Sequence, residues 1–263
     1  MTALPPATPQ PPATATRPVM LVTGGSRGIG AATCVQLARA GYAVVVNYAA
    51  SQAASDKVLQ AIAAAGGTGI GLQADVADEA AVLAMFVAID AKFGRLDALV
   101  NNAGVVDVTA RLDEMSTLRW KRMFDINVIG SLICAREAVK RMSTRHGGGG
   151  GAIVNLSSAA AKLGSPSQYL DYAASKGAID TLTLGLAKEV AAEGIRVNGI
   201  RPGIIDTDIH ASGGLPDRAA QMAPHVPMQR AGSAEEVANA IVWLLSDAAS
   251  YVTGTTIDVT GGR

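Results

Sequence analysis

The sequence predicts an α/β fold: one doubly wound domain whose seven-stranded, mostly parallel sheet carries helices on both faces. Two patterns and one quantity predict it. After Pro18, short β-branched runs alternate with longer Ala- and Leu-rich stretches of spaced apolar residues, as parallel strands and crossover helices do. Several of the short runs are apolar throughout, which suits strands buried on both faces. Of 263 residues, 49% are hydrophobic and 17% charged, so a sizeable core can form and wholesale disorder is excluded.

The elements follow in order. Residues 1–18 hold six of the eleven prolines between small polar residues, and read as a flexible arm that neither builds a ladder nor buries enough surface to order itself. The first strand is predicted at 19–23 and the first helix at 29–40, with Gly41 where a helix C-terminus wants a left-handed residue. A strand at 43–47 leads to a helix at 51–65 closed by Gly66, and a strand at 69–74 to a helix at 78–93 closed by Gly94. After the strand at 98–101 comes one long helix, 116–145, then a permissive loop of five glycines at 147–151. A strand at 152–157, a helix at 172–193 closed by Gly194 and a strand at 195–201 complete the second half. The segment 206–228 contains Gly213, Gly214, Pro216, Pro224 and Pro227, which oppose a continuous helix, and it reads as a lid. A last helix at 234–245 and a strand at 256–259 end the chain, and everything from 19 to 263 reads as one domain.

Composition excludes several functions. Lys+Arg and Asp+Glu are each 22, and no basic cluster offers a footprint for nucleic acid. The longest apolar run, 80–89, stops at Asp90, well short of the ~18 residues of a membrane helix. The N-terminus has neither the basic start nor the apolar core of a secretory signal. Cys34 and Cys134 lack disulfide-framework or metal-ligand spacing, so no metal is expected and a reducing cytoplasm fits.

Chemistry concentrates in a few motifs. TGGSRGIG, residues 23–30, follows the first strand and opens the first helix, the context in which a glycine motif carries weight. Gly24 and Gly28 permit a tight turn, Gly30 lets helix and sheet pack closely, and the helix N-terminus offers N–H groups to a pyrophosphate; a plain strand-to-helix turn would also use glycine. YAASK sets Tyr172 and Lys176 four residues apart, on one helix face. A tyrosine titrates near pH 10, and lowering that by ~3 units takes about 4 kcal/mol, which an adjacent ammonium can supply. The pair therefore reads as an acid/base. Ser157 and Ser158 end a strand, where alternation points only one of them inward. His210 and His225 read as loop histidines, Trp120, Met123 and Phe124 as helix packing, and Trp243 as core or subunit contact.

Together, and in order, these motifs resemble the short-chain dehydrogenase/reductase family from about Val19 to the C-terminus. TGGSRGIG is similar to its glycine loop, Asp75-Val76 to its adenine-contacting pair, and NNAG at 101–104 to the end of its fourth strand. Asn127 in NVIG, the Ser157-Ser158 pair, YAASK and Pro202-Gly203 complete the pattern. The resemblance implies a Rossmann-like fold and a nicotinamide cofactor. Its contacts would come from Gly24, Ser26, Arg27, Gly28, Ile29 and Gly30, from Asn47, Tyr48, Ser51, Asp75 and Val76, from Asn102, Ala103 and Gly104, and from Tyr172, Lys176, Pro202, Gly203, Ile205 and Thr207. It also implies that Tyr172 exchanges a proton with the substrate oxygen, that Lys176 holds the nicotinamide ribose as well, and that Asn127 supports a water relay. Ser158 is the serine chosen to bond the substrate oxygen, Ser157 being structural. Ser158 stands fourteen positions before Tyr172, one more than the family's usual spacing, so the loop within 162–171 carries an extra residue.

Past the second strand, VVVNYAAS holds no acid to accept bonds from an NAD ribose, and Arg27 can pair with a phosphate dianion. NADP(H) is favoured, with NAD(H) possible. The chain then reads as an oxidoreductase moving hydride between NADP(H) and a small-molecule carbonyl or secondary alcohol, near the 3-oxoacyl-carrier-protein reductase and glucose dehydrogenase branches. A catalytically silent nucleotide-binding protein is the alternative, against which the complete Ser158, Tyr172 and Lys176 set argues. Sugar-nucleotide epimerisation would need a larger C-terminal region. The resemblance, with outer apolar positions on the two long helices, further implies a homotetramer.

Overall fold

The run VMLV at Val19–Val22 is buried at all four positions, the mark of a strand covered from both sides. In the computed structural model, which describes residues 17–263, this strand (β1) lies inside the sheet, between β2 and the central strand. The arm expected at 1–18 lies, but for its last two residues, outside the described residues. The other strands are β2 (Ala43–Tyr48), β3 (Thr68–Gln73), β4 (Ala98–Asn101), β5 (Gly151–Leu156), β6 (Ile195–Pro202) and β7 (Thr256–Val259). Their order is β3-β2-β1-β4-β5-β6-β7, and every neighbouring pair is parallel, so the sheet is wholly rather than mostly parallel.

The helices are α1 (Gly28–Arg39), α2 (Gln52–Ala64), α3 (Glu79–Phe93), α4 (Thr117–Phe124), α5 (Gly130–Met142), α6 (Ala160–Leu163), α7 (Leu170–Val190), α8 (Ile209–Ser212), α9 (Arg218–Met222) and α10 (Ala234–Leu245). Alternate side chains of each strand point to opposite faces. Leu21 and Leu99 pack with Phe86 of α3, Cys134 of α5 and Ala187 of α7, while Met20, Val22 and Val44 pack with Leu37 of α1, Ile62 of α2 and Ile241 of α10. Two helical layers thus cover one sheet.

The long helix expected over 116–145 is helical from Thr117 to Met142, but not uniformly α. It runs through α4, a π turn at Asp125–Ile129, and α5, which ends at Met142. The wider turn inserts Asn127, fully buried, into the space beside the segment after β4. From β1 the chain crosses to β2 on one side, while β4 begins the progression on the other. The strand order therefore reverses between β1 and β4, and a crevice opens at the carboxyl ends of these strands, where doubly wound sheets bind ligands.

Candidate active site

The glycine loop at the end of β1 is built to hold its shape. Gly24 and Gly28 have φ of 60° and 53°, a region costly to side-chain-bearing residues. A β-carbon on Gly30 would collide with the Gly24 carbonyl and the Asn102 amide. The Thr23 hydroxyl accepts the N–H groups of Asn102 and Ala103, both at 3.0 Å. The Asn102 amide donates to the carbonyls of Thr23 at 2.8 Å and Gly24 at 3.0 Å. From β2, Asn47 accepts the Gly24 N–H at 3.1 Å and donates to Ala74 at 2.9 Å. Its side chain is thereby committed to bracing the loop. The N–H groups of the first turn of α1 have no preceding helical carbonyls to bond, so they present partial positive charge to the crevice.

Two cavities share this crevice. The larger, of about 500 Å³, is lined by Gly24, Ser26, Arg27, Gly28, Ile29, Asn47, Tyr48, Ser51, Asp75, Val76, Asn102, Ala103, Gly104 and Thr207. The smaller, of about 170 Å³, is lined by Ser158, Tyr172, Lys176, Pro202, Gly203, Ile205 and again Ile29, Asn102, Gly104 and Thr207. Thr207 lies 3.5 Å from where a Gly28 β-carbon would stand, so the segment after β6 touches the glycine loop and joins the two. Of the residues expected at the site, Gly30 and Asn127 line neither cavity. Gly30 packs beneath the loop, whereas Asn127 accepts the Val105 N–H at 2.8 Å and donates to the Val105 carbonyl at 3.0 Å and to Ser175 at 3.1 Å. No acid stands where β2 ends: Ser51 caps α2 by accepting the Ala54 N–H at 3.2 Å, and Arg27 is exposed. The larger cavity, its glycine cradle and the Arg27 side chain suit an extended, phosphate-bearing dinucleotide.

At the smaller cavity, α7 carries Tyr172 and Lys176 on one face. The Ser157 hydroxyl donates to the Lys176 carbonyl at 3.1 Å, tying α7 to the end of β5 from within. Ser157 and Ser158 both line the cavity beside Tyr172, and the Ser158 hydroxyl accepts the Ala160 N–H at 3.1 Å. The Lys176 ammonium donates to the Leu156 carbonyl at 2.7 Å and lies 5.6 Å from the Tyr172 ring centre. Burial pushes Lys176 down to about 8, with the Asp180 charge opposing. The Tyr172 hydroxyl lies above its usual value rather than below it: burial raises it, and the nearby Ser158 hydroxyl only partly opposes this. The depressed tyrosine expected from the sequence is therefore not found. Desolvation outweighs an ammonium that is itself disfavoured by burial and bonded elsewhere.

Between Ser158 and Tyr172 the chain forms α6 and a turn in which Ser165 and Ser167 adopt φ of 45° and 55°. Sequence reasoning missed Arg122, which reaches the larger cavity, and Tyr169, Arg218 and Arg263, which line the smaller. These come from separate segments, and nothing in their local spacing marks them.

The family model described as Enoyl-(Acyl carrier protein) reductase matches residues 24–263. An Escherichia coli protein named "Uncharacterized oxidoreductase YgfF" is 57% identical over 245 residues, covering 93% of this chain and 99% of that one. A Staphylococcus aureus 3-oxoacyl-[acyl-carrier-protein] reductase, FabG, is 40% identical, covering 92% and 96%. A cis-4-hydroxycyclohexanecarboxylate dehydrogenase of Sinomonas cyclohexanicum is 42% identical, covering 93% and 95%. Among solved structures, a short-chain type dehydrogenase/reductase from Mycobacterium marinum superimposes with a TM-score of 0.87 at 34% identity, covering 93% of this chain and 94% of that one.

Proposed function

The chain belongs to the short-chain dehydrogenase/reductase family of oxidoreductases, and from that premise we propose that it interconverts a small-molecule ketone and secondary alcohol with NADP(H). The observation that carries this reading is the convergence of the Ser158 and Tyr172 side chains, with Lys176, on the lining of one cavity that opens into the dinucleotide crevice. Two hydroxyls at one point suit an oxygen atom gaining or losing charge. The named activities of the Staphylococcus and Sinomonas relatives also concern carbon–oxygen centres.

In this reading Gly24, Ser26, Gly28 and Ile29 hold the pyrophosphate, Asp75 and Val76 flank the adenine, and Ala103, Gly104, Pro202, Gly203, Ile205 and Thr207 surround the nicotinamide. When bound, the cofactor supplies the hydride. Ser158 donates to the substrate oxygen, Tyr172 delivers its proton to the same oxygen, and Lys176 holds the ribose and supports the tyrosine. Asn127 is bonded to the Val105 backbone and to Ser175, the latter bonded in turn to the Tyr172 carbonyl, which suits a positioning role beside any relay. NADP(H) preference rests on the exposed Arg27 and the neutral end of β2. Arg27→Ala is expected to weaken NADPH by roughly 1.5–3 kcal/mol, the range of a charge-assisted bond, with little effect on NADH; tighter NADH binding by the unaltered protein would sink the preference. In this reading the protein works in the cytoplasm as a homotetramer, an assembly that its exposed apolar residues support.

Tyr172→Phe is the direct test. Folding and NADPH binding should survive while reduction of a ketone found by panel screening falls about a hundredfold or more. Full activity in that variant would remove the mechanism. Nucleotide binding without turnover across a broad panel would instead favour a silent nucleotide-binding protein.

A further inference from the structure

The smaller cavity is lined by cations and no acid. Lys176, Arg218 and Arg263 are its charged residues, with no Asp or Glu among the lining, in a chain whose 22 basic and 22 acidic residues balance. Lys176 is committed to Leu156 and faces Tyr172. The two arginines are differently placed. Neither pairs with an acid among the described residues, whereas Arg119, Arg141, Arg201 and Arg230 all do.

Arg218 is held through its side chain, whereas the exposed Arg263 is positioned only through its backbone. Arg218, at the start of α9, donates to the Gln168 side chain at 2.9 Å, and its guanidinium carbon lies 5.1 Å from the centre of the Tyr169 ring. Arg263 is brought to the cavity by Gly261 and Gly262, whose φ of 65° and 93° turn the chain. The turn is pinned where the Met228 N–H donates to the Gly261 carbonyl at 3.1 Å. Burial and the charge of Arg218 both hold the Arg263 guanidinium below its usual value, so the two cations repel one another across the pocket. An anion between them would relieve that repulsion.

We propose that Arg218 and Arg263 form a carboxylate subsite, so that the preferred substrates are small oxo acids, with the carbonyl at Ser158 and Tyr172 and the carboxylate between the guanidinium groups. This rests on the reductase reading for the substrate's orientation. The chemistry asks for a fixed charge at a distance from the carbonyl that the cavity sets.

With saturating NADPH, kcat/KM would be measured for 3-oxobutanoate, 4-oxopentanoate, 5-oxohexanoate and 4-oxocyclohexanecarboxylate, each beside its methyl ester. At least one acid should exceed its ester tenfold or more. Arg218→Gln and Arg263→Gln should each lower that acid-to-ester ratio at least fivefold, chiefly through KM. Esters equal to or better than every acid, or a ratio unmoved in both variants, would overturn the subsite while leaving the reductase standing. A second arm needs no turnover. Calorimetric titration of the NADPH-bound protein should show benzoate binding at least tenfold tighter than benzamide, with the gap closing in Arg218→Gln. Equal or undetectable binding of both overturns the subsite, and a benzoate preference in a protein that reduces no ketone supports it while the reductase reading falls.

Discussion

Lys176 carries a cost to the fold that its proposed role would explain. Its side chain is almost wholly buried, and burial brings it to about 8 from a usual value of 10.5. The unfolded chain therefore binds the extra proton between about pH 8 and 10.5. Stability should rise with pH through that window, and below it the penalty is complete, at most roughly 3 kcal/mol. Lys176→Met should thus melt higher than the unaltered protein at pH 7, by about 5 °C or less, and lose that advantage as pH approaches 10.5, while ketone reduction is lost. A lower melting temperature for the variant at pH 7 would show that the bond to Leu156 outweighs desolvation. The same titration shapes the rate. Tyr172, raised by burial, stays protonated near neutrality, so reduction should fall as pH climbs through about 8 and the ammonium is lost. YAASK announced the pairing of these two residues, because helical spacing alone decides which side chains share a face. Their protonation was not legible, since desolvation depends on what β5 and the 202–207 segment bring over them.

Between elements, the tie that matters most near the site joins α4 to α7. Arg119 bonds Asp171 through two nitrogens, at 2.7 and 3.1 Å, and both side chains are nearly inaccessible. Arg119 also donates to the Val108 carbonyl at 2.7 Å, and Asp171 accepts the Tyr172 N–H at 2.9 Å. Removing one partner strands a buried charge, so Arg119→Met should cost about 3–5 kcal/mol in urea denaturation. Arg119→Met combined with Asp171→Leu should recover part of it, and a loss under about 1 kcal/mol in the single variant would mean that Asp171 finds water. No sequence pattern linked residues 52 positions apart. The strands, by contrast, were legible to within a residue or two, because short unbroken β-branched runs such as VVV in β2 suit a strand buried on both faces. The π turn was hidden: DINVI keeps helical apolar spacing, and only the buried bonds of Asn127 to Val105 favour the wider turn there.

For the molecule as a whole, net charge zero concealed a local segregation that the fold creates, with Lys176, Arg218 and Arg263 gathered at the smaller cavity and no Asp or Glu among its lining. The exposed apolar surface is segregated too. Leu118 is 77% exposed, and Phe124, Ile129, Leu132 and Leu184 join it among the exposed residues of α4, the π turn, α5 and α7. Trp243 of α10 and the fully exposed Tyr251 lie elsewhere, on the segments leading to the edge strand β7. Large side chains left in water in this way mark association surfaces when they cluster. Two separate faces, were each to pair with its own copy about a twofold axis, would close into a tetramer of dihedral symmetry. Sedimentation at micromolar concentration should therefore give a tetramer. Leu118→Glu with Leu132→Glu should reduce it to a dimer held by the Trp243 face, Trp243→Glu with Tyr251→Glu to a dimer held by the helical face, and all four together to a monomer. A monomeric unaltered protein would sink the assembly outright, and a tetramer indifferent to both pairs of substitutions would move its interfaces elsewhere on the surface.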